Sequence, residues 1–223
     1  MGLLRSRALR DRKEFIDALR SLAYYGATVE FEIRERQEPV QVVFRVTPGD
    51  IYPIRSVDVE VQPRAPELKR SMPSPVQMGL NPGTPAKARG IVDAGSAIAR
   101  RARERGYPFA SVGETRVIAD HLTQDVAVTL TLETGPFARF GDIAVVDLVS
   151  VERSYVYGKL PWKRGDPYNE ALLDELRKRL SEPRLFSVIR VDRSSNWPMT
   201  TQRPTGAATW KAMSWCTGSW GTV

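Results

Sequence analysis

The single histidine, His121, lies between Asp120 and Asp125, and an imidazole with two nearby carboxylates is a minimal set for moving a proton. The same run is also a polar break between two alternating segments, which is the pattern of an exposed hairpin tip. Gly90 and Gly95 spell G-x-x-x-x-G. Ser96 and Ala97 follow, however, where a phosphate loop needs Lys and then Ser or Thr, and both glycines fall inside a helical pattern. Cys216 is the only cysteine, which excludes an intramolecular disulfide and, with one histidine, a Cys/His metal cluster. Arg100, Arg101, Arg103 and Arg105 could dock lipid headgroups or an acidic partner, but they flank the apolar positions Ile98 and Ala102 and read as a solvated helix face. Trp197, Trp210, Trp215 and Trp220 could stack on bases or sugars, yet no fixed spacing organises them. With no convergent nucleophile, base or metal set, the sequence predicts no enzyme, no cofactor and no metal site.

The elements behind these residues belong to a chain of 223 residues, 42% hydrophobic and 26% charged, a balance that excludes disorder along the whole length. The net charge of +7 sits at the two ends. Residues 1 to 13 carry Arg5, Arg7, Arg10, Arg12 and Lys13 against Asp11, and residues 193 to 223 carry Arg193, Arg203 and Lys211 with no acid. The body between is formally neutral and has no long-range field to attract a polyanion. No apolar run approaches the roughly 18 to 20 residues that span a bilayer, and no export signal is visible at the beginning of the chain.

The chain matches itself at constant offsets. At an offset of 83, Phe15, Leu19, Tyr24, Ala27 and Val29 fall on Ile98, Ala102, Tyr107, Ala110 and Val112. At 86, Val40, Val42, Phe44, Val46 and Gly49 fall on Val126, Val128, Leu130, Leu132 and Gly135, and Ile54, Val57 and Val59 fall on Phe140, Ile143 and Val145. At 82, Pro85, Ile91, Ala94 and Ile98 fall on Pro167, Leu173, Leu176 and Leu180. About two and a half copies are present.

Ile91, Ala94, Ile98 and Ala102, like Leu173, Leu176 and Leu180, are spaced to give a helix one apolar stripe. Thr84-Pro85 and Asp166-Pro167 each put a capping residue before a proline, so these helices are predicted to begin there. Gly106 ends the second helix. Val29, Phe31 and Ile33, then Val40 to Val46 with Gln37-Glu38 near the turn, predict antiparallel hairpins buried on one face. Ile54, Val57 and Val59 form a separate strand, and Val145 and Val146 end its equivalent in the next copy. The predicted fold is α+β: tandem small βααββ units, each a three-stranded sheet covered on one face by two helices, with no β-barrel. The complete copy is expected to bury Ile54, Val57, Ile98, Val128 and Leu130.

Tyr24-Tyr25-Gly26 and Gly106-Tyr107-Pro108-Phe109-Ala110 stand at the helix-to-strand junctions, and with the runs Gly135 to Ile143 and Trp162 to Asn169 the tandem resembles the POTRA regions of the BamA/TamA superfamily of outer-membrane protein assembly factors. The likeness is strongest to the TamA type and covers about residues 8 to 192. It implies a partial POTRA-like unit over 1–50, a complete one over 51–136 and a partial one over 137–192. Residues 193–223, with four Trp and no acid, match no POTRA domain and read as an irregular, frameshifted tail. The chain departs from the family in lacking the export signal, the opening strand of the first domain and the C-terminal barrel, so the resemblance implies a truncated member. Pro183-Arg184-Leu185-Phe186 stands where the family usually has Gly before the Leu-Phe pair.

The resemblance further implies a region on the periplasmic side of the outer membrane that captures unfolded outer-membrane or autotransporter polypeptides and docks a TamB-like inner-membrane partner. Membrane contact would come only through the missing barrel, and no nucleic acid is expected. Capture would use the unpaired N–H and C=O groups of an edge strand. The candidate edge is the first hairpin strand of the complete copy, Ala110 to Ile118, with Val112, Glu114, Arg116 and Ile118 along it. The alternatives are a scaffold between assembly partners that binds no client, and a nucleic-acid-binding α/β repeat.

Overall fold

The computed structural model describes residues 2–34, 40–145, 148, 151–183, 185, 186, 189, 191–193 and 210–212. The first copy contributes helix α1 (Gly2–Ser21) and strands β1 (Thr28–Arg34) and β2 (Gln41–Thr47). These strands form an antiparallel pair with Thr28 opposite Thr47 and Arg34 opposite Gln41. The Gln37-Glu38 turn lies outside the described residues.

The second copy contributes β3 (Ile54–Gln62), a short helix α2 (Pro66–Ser71), a 3-10 turn over Val76–Met78, the long helix α3 (Ala88–Arg103), β4 (Ser111–Asp120) and β5 (Asp125–Glu133). The three strands make one sheet in the order β3-β5-β4. Every second residue of the central strand β5 is buried, namely Val126, Val128, Leu130 and Leu132, while its odd positions are not, as expected of a strand with one face on a core. That face meets α3, where Gly95 and Ile98 share a small apolar space with Val112, Leu130 and Leu132. Ile54, Ile98, Val128 and Leu130 are buried as expected, and Val57 is half-buried.

The third copy contributes α4 (Arg153–Tyr157), α5 (Glu170–Ser181) and β6 (Val191–Arg193). Its core gathers Phe140, Val145, Val156, Trp162, Tyr168, Leu173, Leu176, Leu180 and Val191, with the Phe140 and Trp162 rings stacked 4.3 Å apart. Strand β7 (Trp210–Ala212) pairs in parallel with β6, so the segment expected to be irregular holds one short strand. No closed barrel occurs among the described residues.

By contacts the chain divides into two compact units, Met1–Val61 with Lys69–Ile98 and Val112–Leu132, and Gln62–Leu68 with Ala99–Ser111 and Glu133–Val223. The second copy supplies residues to both.

Two expectations are corrected. Helices α3 and α5 start at Ala88 and Glu170, three residues beyond the two prolines. Thr84 Oγ1 donates to Asn81 O and Asp166 Oδ2 accepts from Lys163 N, so both side chains close the preceding loop. Pro85 and Pro167 lie in antiparallel bridges to Pro53 and Arg139, an extended geometry that a helix start cannot share. The N-cap of α5 is Asn169, whose Oδ1 accepts from Ala171 N at 3.0 Å. Second, Ile143 to Val145 is not a strand, although Val145 is buried; Val146 lies outside the described residues. In the second copy the equivalent strand is held by β5, and no such partner is described beside 143–145.

The copies agree at the level of single hydrogen bonds. Tyr52 N donates to Ala23 O at 2.9 Å, Ala86 N to Tyr52 O at 3.0 Å, Ile54 N to Thr84 O at 2.8 Å and Gly83 N to Ile54 O at 2.8 Å. Their counterparts are Ala138 N to Gly106 O at 2.8 Å, Tyr168 N to Ala138 O at 3.0 Å, Phe140 N to Asp166 O at 2.8 Å and Gly165 N to Phe140 O at 2.7 Å. The left-handed residues recur too: Ala23 and Gly106, Gly49 and Gly135, Gly83 and Gly165.

Candidate functional site

Strand β4 has β5 on one side and no described strand on the other. Its side chains explain why it is exposed. Glu114, Arg116 and Ile118 face solvent, and charged residues along an outer strand are what a sheet edge tolerates. Val112 behaves differently. A Cβ added to Gly95 would lie 3.3 Å from both Val112 methyl groups, so this valine leans on α3 and secures the start of the strand. All four residues expected along the docking edge are exposed, and Val112, 38% exposed, also touches α3 at Gly95.

The far end of β4 is tied down at the hairpin. Asp120 Oδ1 accepts from Leu122 N at 2.9 Å and Thr123 N at 3.3 Å. These two main-chain donors, with a smaller contribution from Arg55, hold the Asp120 carboxyl below the usual aspartate range. Arg55 on β3 stands 3.4 Å from Asp125 Oδ1, and Gln124 takes a positive φ of 53° in the turn. His121 is exposed at the tip, as expected, but its Nδ1 is 2.9 Å from the hydroxyl of the buried Tyr52. Each member of the imagined proton-transfer set therefore has a structural partner: Asp120 the turn, Asp125 Arg55, and His121 Tyr52. No metal-ligating cluster occurs among the described residues, and no described helix is long and apolar enough to cross a membrane.

The arginine cluster also divides. Arg103 Nε donates to Glu170 Oε2 at 2.6 Å and its Nη1 to Ala110 O at 3.0 Å, and Arg101 pairs with Glu104 at 3.1 Å. Arg100 and Arg105 remain exposed. Sequence spacing missed the Arg103 pairing because Glu170 stands 67 positions away, and no local signal in the sequence joins the two. Gly90 and Gly95 lie within α3. Of the tail tryptophans only Trp210 is described, in β7.

No protein-family model matches the chain, and no curated protein matches it. Among solved structures it is similar to the crystal structure of POTRA domains 3–5 of BamA from Haemophilus influenzae, with a TM-score of 0.54 and 20% sequence identity over 92% of this chain and 79% of that one. At that identity the likeness establishes a POTRA-type fold.

Proposed function

We propose that this chain is the polypeptide-binding region of an outer-membrane protein assembly factor of the TamA type, working on the periplasmic side of the membrane. Its clients are unfolded outer-membrane or autotransporter segments, captured in extended form, and its inner-membrane partner is TamB-like. The observation that carries the reading is β4, a ten-residue strand with no described strand on its outer side in a POTRA-type sheet. An extended segment adding there gains main-chain hydrogen bonds with little demand on its sequence. Weak and tolerant capture suits a protein that must release its client.

Main-chain pairing tolerates side-chain changes but not a lost donor. Along an edge strand successive N–H groups point alternately into the ladder and outward, so of Thr115→Pro and Arg116→Pro one breaks the sheet and the other removes only an outward donor. The variant that keeps its circular dichroism spectrum should bind a synthetic barrel-strand peptide at least tenfold more weakly than the matching alanine variant. Equal affinity of the folded proline variant and its alanine control would reject capture at β4.

A further inference from the structure

The two junctions between copies share one main-chain frame but carry different side chains. Ala138 N donates to Gly106 O at 2.8 Å in the second junction, as Tyr52 N does to Ala23 O at 2.9 Å in the first. Around the second, Arg105, Phe109, Phe137 and Arg139 stand where the offsets of 83 and 86 place Leu22, Gly26, Ile51 and Pro53 in the first. The frame forms with either set, so two phenylalanines and two arginines are not what the fold requires there. They are nonetheless at the surface: Phe109 and Phe137 are each 43% exposed, and both arginines are exposed. Ile51, which holds the place of Phe137 beside the complete copy, is 46% exposed. Exposure at this place is therefore a property of the junction itself.

The second set is also ordered. The Phe137 ring lies over Gly106, where a Cβ would leave it no room, and it meets Tyr107 edge to face with 5.5 Å between centroids. The Arg139 guanidinium stands 5.6 Å from the centre of the same ring. Arg139 is itself anchored, since its Nη1 donates to Gly165 O at 2.9 Å, and its other N–H groups are left for an acceptor. Charge is unbalanced here. Arg101 is taken by Glu104 and Arg103 by Glu170, whereas Arg105 and Arg139 form no ion pair among the described residues. Aromatic rings beside arginine are the side chains that concentrate binding energy at protein interfaces, and a guanidinium held in advance loses little freedom when a carboxylate arrives.

We propose that the second junction docks a segment of another protein in which an aromatic side chain is flanked by carboxylates: its ring packs on Phe137, and its acids meet Arg139 and Arg105. The site does not depend on capture at β4. There pairing runs through the main chain; here the side chains decide. An anionic lipid surface is served by clustered Lys and Arg with no need of a ring, so the fixed aromatic favours a polypeptide.

The probe is a fluorescein-labelled synthetic peptide with the core Asp-Phe-Glu-Trp-Asp, titrated against the full 223-residue protein by fluorescence anisotropy. Two control peptides separate its parts: Asn-Phe-Gln-Trp-Asn has the rings without the charge, and Asp-Ser-Glu-Ser-Asp the charge without the rings. Saturable binding of the probe is expected, with each control at least about tenfold weaker. Phe137→Ile, which installs the residue of the first junction, and Arg139→Gln should each weaken the probe at least about fivefold while keeping the near-ultraviolet circular dichroism spectrum. Phe137→Leu is the second variant if Phe137→Ile does not fold. The folded one of Thr115→Pro and Arg116→Pro should leave this binding unchanged, so the junction site can stand or fall apart from β4. Three results would overturn it: no saturable binding of the probe, equal binding of either control, and affinity unmoved in folded Phe137 and Arg139 variants. The same holds if phosphatidylglycerol vesicles bind more tightly than the probe and lose that binding in Arg139→Gln, which would make a lipid surface the occupant.

Discussion

Ala23 and Gly106 hold the same place in successive copies, just past a helix, at φ of 78° and 99°, and exchanging their residue types should have unequal effects. An L-residue at positive φ costs roughly 1–2 kcal/mol, while introducing Gly returns about 0.4–1 kcal/mol to the unfolded chain as conformational freedom. Ala23 is fully buried, so Ala23→Gly also loses about 0.8 kcal/mol with its methyl, and the three contributions leave it close to neutral. Gly106→Ala takes on the strain of positive φ and adds a collision. Its Cβ would lie 2.2, 2.7 and 2.9 Å from the Cε2, Cδ2 and Cζ atoms of Phe137, so the ring must leave. Phe137 is 43% exposed and free to swing out, at the expense of its edge contact with Tyr107, 5.5 Å between centroids at 79°, worth about 0.5–1.5 kcal/mol. The total expected for Gly106→Ala is about 1–2.5 kcal/mol, a fall in Tm of roughly 2–10 °C for a chain of this size. Urea unfolding followed by near-ultraviolet circular dichroism of the Phe140–Trp162 stack reads the same compact unit. In a double-mutant cycle, Gly106→Ala with Phe137→Ala should cost less than the two singles summed. Strict additivity, or a Gly106→Ala penalty below about 0.5 kcal/mol, would refute the collision.

Two further outcomes follow from the same geometry. Hydrogen exchange should find the amides of β2, where Val40 and Val46 are 47% and 42% exposed, less protected than those of β5, where Val126, Val128, Leu130 and Leu132 are 0–1% exposed and a described strand lies on each side; equal protection would contradict that burial contrast. Asp120 has a depressed folded pKa, so its contribution to stability is present above the unfolded value of about 3.9 and is lost as pH falls through the folded value. Asp120→Ala should therefore melt below the parent protein at pH 7, with the gap closing below about pH 4. A gap of constant size from pH 7 to pH 3 would remove the carboxylate from the account.

The helical stripe of α3 and the alternation of β5 were legible in the sequence because each buries a single face, and a buried face leaves a period. The starts of α3 and α5 were not. Thr84-Pro85 and Asp166-Pro167 satisfy the local rules for a helix start, but the main chain there is claimed by a β-bridge that only the folded chain brings together. No described strand lies beside Ile143 to Val145, and a strand-like pattern becomes a strand only where another strand receives it. The candidate edge was partly readable: Glu114, Arg116 and Ile118 alternate with no buried row of their own, whereas the lean of Val112 onto Gly95 depends on a helix that shows no side chain there. His121 looked like chemistry because Asp120 and Asp125 are near it in sequence. Its actual partner, Tyr52, is 69 residues away.

The four main-chain hydrogen bonds that recur at each junction have an evolutionary consequence. Bonds between peptide groups survive almost any change of side chain, so a gene segment cut between one left-handed glycine and its counterpart, Gly49 and Gly135, carries its connector with it. Duplication or excision of such a segment restores the same joint on either side. Each duplicate can then drift wherever hydropathy and backbone handedness allow, which is why the offsets here are constant while nine of the seventeen aligned pairs differ in residue type.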